Sequence, residues 1–189
     1  MTGGGAVRVE IVPGDITRQD VEVVVNAANP TLVGGGGVDG AIHRAAGPRL
    51  LRECRRVRKA SFPDGLPVGR AVATGGGNLK ARWVVHTVGP NWHRDQRDPE
   101  LLASCVRESI RAAAELGARS IAFPAVSAGA YGWDVTTVAR IMLDEIRAEV
   151  RRGTTGSLER VRLVPFGADA ARAFTEVATG DRSVGSGVC

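Results

Sequence analysis

No stretch of the 189-residue chain reaches the roughly 18 consecutive apolar residues of a membrane-spanning helix. The start, Met-Thr-Gly-Gly-Gly, has neither the basic patch nor the apolar core of a secretory signal. The expectation is a soluble, cytoplasmic protein with no membrane partner. Cysteine is scarce. Cys54, Cys105 and Cys189 are an odd number without C-x-x-C spacing, which argues against a disulfide framework. Cys54 and Cys105 fall at apolar positions of helical patterns and read as reduced, inert core thiols. Lysine is rarer still: only Lys59 and Lys80 among 25 basic residues. The formal charge of +5 is therefore almost all guanidinium, a sign that favours phosphates or nucleic acid as partners but names no function by itself. Aromatic residues make up 4% of the chain, and Tyr131 is its only tyrosine.

What the chain does have is apolar residues (43%) and 25 glycines. A length near that of one typical domain can bury roughly 70% of the unfolded surface without disulfides or a structural metal, which excludes disorder. Val7 to Val12 alternates as a half-buried strand does, whereas Val21 to Val25 is a continuous apolar run, as in a strand covered on both faces. Helices are predicted over Val38 to Ala46 and Pro48 to Lys59, and strands over Arg70 to Thr74 and Trp83 to Val88. A helix opened by Pro99 and stopped by Gly117 precedes the strand Ser120 to Phe123. A helix capped by Asp134 runs to about Arg152, followed by the strand Arg160 to Pro165 and a last helix near Ala168 to Val177. This alternation predicts a three-layer α/β/α sandwich around a central mixed, mostly parallel sheet. Residues 7–178 form the domain, and 1–6 and 179–189 are expected to be flexible ends. Ligands of such sheets bind at the carboxyl ends of the strands, where the loops Asn26 to Gly37 and Pro124 to Trp133 belong.

Gly34 to Gly37 lead directly into a helix. Backbone N–H groups left uncovered there can wrap an anion that the helix dipole also favours, so a phosphate fits. Residues 35–40 also match G-x-G-x-x-G, but eight residues, Asn26 to Val33, separate Val25 from the glycines, a spacing that argues against a dinucleotide-dependent dehydrogenase. Asp39 is out of place beside an anion site unless it has a task. It can cap a helix beginning at Gly40, hold a ribose hydroxyl, or hold a nucleophilic water. The second loop, with Ser127, Ala128, Gly129, Ala130, Tyr131 and Trp133, repeats the phosphate logic, and its two aromatics either close over a sugar or pack on the sheet edge. Asp15 either accepts from an exocyclic amine or caps the turn Ile16 to Asp20. Phe166 either stacks on a planar base or belongs to the core. The basic run Arg52 to Lys59 is a solvated helix face or a nucleic-acid contact.

Taken together, Gly-Asp-Ile-Thr at 14–17, Asn-Ala-Ala-Asn at 26–29, the loop 34–43, His86-Thr87-Val88-Gly89-Pro90, and Phe123-Pro124 with Ser127 to Gly132 resemble the macrodomain family and, through 34–43, its MacroD-type ADP-ribosyl hydrolases. The resemblance implies an ADP-ribose cleft. Asp15 and Ile16 would meet the adenine, with Phe166 stacked on it. Asn26, Gly36, Gly37 and Val38 on one side and Ser127 to Tyr131 on the other would line the ligand. Asn29 and Asp39 would hold the distal ribose and the attacking water, as the catalytic pair. It implies release of mono-ADP-ribose from Asp or Glu side chains, no cofactor, and ADP-ribosylated proteins as partners of a monomer. O-acetyl-ADP-ribose, ADP-ribosylated nucleic acid ends and a non-catalytic reader are the alternatives. Zinc-dependent macrodomains would need Cys and His ligands between the Asn pair and Asp39; residues 30–38 contain none, so no metal is expected. Thr74 to Leu79, Ala128 and Trp133-Asp134 depart from the family pattern, and Gly75 to Gly77 have no evident role.

Overall fold

A computed structural model describes residues 6–180. Its elements in chain order are β1 (Arg8–Ile11), a 3-10 turn (Ile16–Arg18), β2 (Val23–Ala27), α1 (Gly37–Ala46), α2 (Pro48–Ser61), β3 (Ala71–Gly75) and β4 (Trp83–Thr87). A second 3-10 turn (Trp92–Arg94), α3 (Pro99–Glu115), β5 (Ser120–Phe123), α4 (Val135–Arg152), β6 (Arg160–Leu163) and α5 (Ala168–Thr179) complete it. The expected flexible ends fall mostly on residues outside those described, as does Cys189, but α5 continues to Thr179, one residue into the expected tail.

The six strands lie in the order β1-β6-β5-β2-β4-β3, parallel except for the β3–β4 pair. The sandwich follows from the period-two geometry of β2, β4 and β5. Val23, Val25, Val85, Ile121 and Phe123 point to the face covered by α3, α4 and α5, while Val24, Val84 and Ala122 point to the face covered by α1 and α2. A strand apolar at every position is what two covered faces require. No helix among the described residues is long and apolar enough to cross a membrane.

Proline at the first position starts α2 and α3, and Asp98 and Asp134 accept from backbone amides at the starts of α3 and α4, as their side chains predict. In the basic helix α2, Arg58 serves the fold: its guanidinium donates to the carbonyls of Phe62 and Pro63 at 2.7 and 2.9 Å. The glycines at 75–77 acquire a role here. The Gly75 amide donates to Glu53 Oε2 at 2.8 Å, the Asn78 amide donates to the Ala46 carbonyl at 2.9 Å, and a Cβ on Gly77 would strike that same carbonyl. The β3–β4 connection thus lies directly on the α1–α2 junction, an approach only glycine permits.

Gly77 and Gly117 both adopt left-handed backbone (φ +59° and +67°), but nothing stands near Gly117. In urea unfolding, Gly117→Ala is expected to cost about 1–2 kcal/mol, the left-handed penalty alone, and Gly77→Ala distinctly more. Equal losses would refute the close approach.

Candidate active site

β2 and β5 are adjacent and parallel, so the two glycine-rich loops leave the sheet side by side at the same edge. The first ends at α1, whose N-cap is Gly36 with no capping side chain. The opening amides of α1 are therefore open at the positive end of the helix dipole. Gly36 and Gly37 are exposed and Val38 is half-buried beside them. Across the gap, Gly129 and Ala130 are exposed, Ala128 and Tyr131 are half-buried, and the amides of Gly129, Ala130 and Tyr131 have no acceptor among the described residues. Ser127 adopts φ +67° and is buried, its Oγ packed where a side chain on Gly89 would clash.

Asp39 does not cap its helix. It is the third residue of α1, and its carboxylate is turned inward, 5% exposed. Asn26, at the end of β2 and wholly buried, donates from Nδ2 to Asp39 Oδ1 at 2.8 Å and to His86 Nδ1 at 3.1 Å. An amide nitrogen only donates, so His86 Nδ1 accepts and Nε2 carries the ring proton. That proton goes to Thr74 Oγ1 at 2.9 Å, with Cys54 Sγ 3.5 Å away. Burial keeps the His86 ring neutral, its pKa pushed down to about 3. His43, one turn after Asp39, brings Nε2 to 3.4 Å from Asp39 Oδ1, close but too poorly aligned for a hydrogen bond. Burial raises the Asp39 pKa above its ordinary value; the Asn26 amide, His43 and the Asn29 N–H oppose the rise without cancelling it.

The expected ligand-binding role of Asn26 is corrected. A side chain with no exposed surface supports Asp39 from below and does not reach the cleft. Asn29 is half-buried; it staples its own loop, donating from Nδ2 to the Gly34 carbonyl at 3.0 Å. That nitrogen also faces the Asp39 carboxylate. A Cβ on Gly35 would lie 3.3 Å from Asn29 Nδ2 and 3.4 Å from Asp39 Oδ2, so glycine keeps a methyl-sized space between them.

At the other end of the cleft, the chains after β1 and β6 run together, with the Gly14 amide donating to the Pro165 carbonyl at 3.1 Å. Phe166 is 82% exposed there, which rules out its core reading. Asp15 does cap: Oδ1 accepts from the Thr17 amide and hydroxyl at 2.8 and 2.7 Å, the contacts that hold its pKa low. Ile16 has its side chain in the core. Trp133 is also a core residue, packed edge-on to Trp92 at 5.3 Å, and does not close over a sugar. Tyr131 remains at the rim, its carbonyl accepting from the Trp92 amide at 2.8 Å.

Two residues missed as functional candidates stand out, His43 and His86. His43 was within reach, since i+4 on α1 places it on the face of Asp39. His86 lies 60 residues from Asn26 and is joined to it by the β2–β4 register, which no local spacing reports.

A mixed sheet with two amide-rich loops at one edge and a buried carboxylate beside them defines a three-layer α/β domain. The family model of the Macro domain matches residues 25–142. A Macro domain-containing protein of Streptomyces griseus is 56% identical over 169 residues, covering 89% of this chain and 93% of its own. A Cronobacter sakazakii protein named O-acetyl-ADP-ribose deacetylase is 51% identical over 140 residues, 74% of this chain and 77% of its own. The Oceanobacillus iheyensis macrodomain solved with ADP superposes with a TM-score of 0.87 at 38% identity, covering 94% of this chain and 93% of that one. The chain belongs to the macro domain family.

A carboxyl group whose pKa rises on folding binds its proton more tightly in the native state, so its contribution to stability falls as pH rises through the window above its ordinary value. Asp39→Asn is therefore expected to unfold at higher temperature than wild type at neutral pH, with the gap closing as the pH is lowered. A gap independent of pH would contradict a buried, ionising Asp39.

Proposed function

We propose that this macrodomain binds ADP-ribose and hydrolyses mono-ADP-ribose from acidic protein side chains. The observation that carries the reading is the convergence of Asn29 Nδ2 and Asp39 Oδ2 across Gly35, next to the uncapped start of α1. The diphosphate lies between the two loops, held by backbone N–H groups. The adenine lies toward Asp15 and Phe166, and the distal ribose toward Asp39 and Tyr131. The Oceanobacillus relative solved with ADP supports a nucleotide in this cleft.

The reaction needs one positioned water. Its oxygen bonds to the anomeric carbon of the distal ribose as the bond from that carbon to the acyl oxygen breaks. The electron pair leaves with the Asp or Glu carboxylate, which needs little acid help. Asp39 takes the proton of the water. Burial makes it more basic than an ordinary aspartate, and the Asn26 amide fixes its Oδ1. The second reading keeps the site and changes the ester: hydrolysis of O-acetyl-ADP-ribose, favoured by relatives of Cronobacter and Klebsiella that carry that name.

A release assay over glutamate-modified protein, serine-modified protein, O-acetyl-ADP-ribose and ADP-ribosylated DNA ends separates these. The expected result is release from the glutamate-modified protein, reduced by about 100-fold or more in Asp39→Ala, while affinity for free ADP-ribose changes far less. Gly35→Ala, which fills the space between Asn29 and Asp39 without backbone strain, should slow release and leave the melting temperature near wild type. A wild type that binds ADP-ribose but cleaves no substrate is a reader, and the hydrolase reading is then wrong.

A further inference from the structure

Beneath α1, His43 of α1, Cys54 of α2 and His86 of β4 meet with one ligand atom from each, two imidazole nitrogens and a thiol sulfur, all within 4.8 Å of one another. No other such cluster of three or more occurs among the described residues. Cys54 Sγ and His86 Nε2 are 3.5 Å apart. Sulfur and nitrogen ligands on one tetrahedral zinc ion, at bond lengths of about 2.3 and 2.1 Å, stand about 3.5 Å apart, so this pair is already spaced for an ion. His43 Nε2 is buried without a hydrogen-bond partner. Neither Cys54 nor the cluster as a whole has a task in the hydrolytic reading.

We propose that His43, Cys54 and His86 form a site for a borderline-soft divalent cation of the zinc type, and that filling it shuts off Asp39. Two imidazoles and a thiolate suit zinc and exclude magnesium or calcium, which prefer all-oxygen shells. Three protein ligands leave the fourth position open.

The coupling to Asp39 runs through Asn26. A ligating His86 Nε2 must give up its proton, so the proton moves to Nδ1 and the hydrogen bond to Thr74 is lost. A metal-bound imidazole donates its other N–H to an acceptor, whereas Asn26 now offers that nitrogen an N–H. Turning the Asn26 amide by half a revolution supplies the acceptor, its Oδ1, which is buried and has no partner. The same turn takes the amide N–H away from Asp39 Oδ1 and sets a carbonyl oxygen against the carboxylate. The ion and the supported state of Asp39 thus compete for one amide group. Binding also releases the Cys54 thiol proton to solvent.

Metal binding itself does not depend on the hydrolase reading; only the shut-off does. The test uses the full chain with Cys189→Ser, which removes the terminal thiol, and Co2+ as the spectroscopic probe. The expected result is one Co2+ per chain with a thiolate-to-cobalt charge-transfer band, displacement by Zn2+, and an affinity at least about tenfold weaker in Cys54→Ala and Cys54→Ser, with unchanged far-UV circular dichroism. A spectrum without the thiolate band, or one that persists in both Cys54 variants, overturns the site. Zn2+ should also shift the Asn26 side-chain amide resonances and lower ADP-ribose release in the Cys189→Ser protein, but not in the same protein carrying Cys54→Ala. Unmoved Asn26 resonances overturn the coupling whether or not the protein proves to be a hydrolase, and release that ignores Zn2+ overturns the shut-off.

Discussion

The site depends on one hydrogen bond, from the Asn26 amide to Asp39 Oδ1. Both groups are buried, and a charge-assisted bond of this kind contributes roughly 1.5–3 kcal/mol, mostly by sparing a carboxylate the cost of standing unpaired away from water. Without it, α1 would carry an acid turned into the protein with only the Asn29 N–H and the poorly aligned His43 ring to favour its charge. With it, the start of α1 is fixed to the end of β2. The loop between them must then close over a short span, which Gly34 to Gly37 allow, and its amides are left facing the cleft.

Asn26 is in turn held by the sheet. It stands in register with His86 on the neighbouring parallel strand, and the ring of His86, neutral and fully buried, accepts the second N–H of the same amide. Thr74, from the antiparallel edge strand β3, accepts the remaining ring proton. Three adjacent strands therefore set the direction of one carboxylate. The edge of the parallel sheet carries the open amides, and its interior supplies the acid's support. The raised pKa of Asp39 follows from this placement: burial outweighs the groups that favour its charge, and the protein carries some instability at neutral pH for a more basic carboxylate.

Much of this was legible in the sequence, for physical reasons that can be named. The strand Ser120–Phe123 and the helix from Asp134 to Arg152 were readable because apolar periodicity and capping side chains are local signals. Asp15, Phe166 and the two glycine loops were placed correctly at one sheet edge because parallel alternation leaves little choice of edge. Asn26 was misread as facing a ligand, although its parity with Val24 on a doubly covered strand puts it on the α1 side, inside. Asp39 was allowed a capping role because a lone Asp before a helix usually caps; only the position of Asn26 turns it inward. Gly77 had no local meaning, since the carbonyl of Ala46 that requires it is some thirty residues away. The meeting of His43, Cys54 and His86 likewise arises from tertiary packing alone.

In the proposed mechanism the ionised form of the buried Asp39 carboxylate drives the reaction, and a pH profile of kcat/KM for ADP-ribose release from a glutamate-modified protein tests that most directly. The expected profile has an acid limb whose midpoint lies above the ordinary aspartate value and which disappears from the residual activity of Asp39→Asn. An acid limb unchanged in that variant, or a wild-type rate flat through the acidic range, would contradict it.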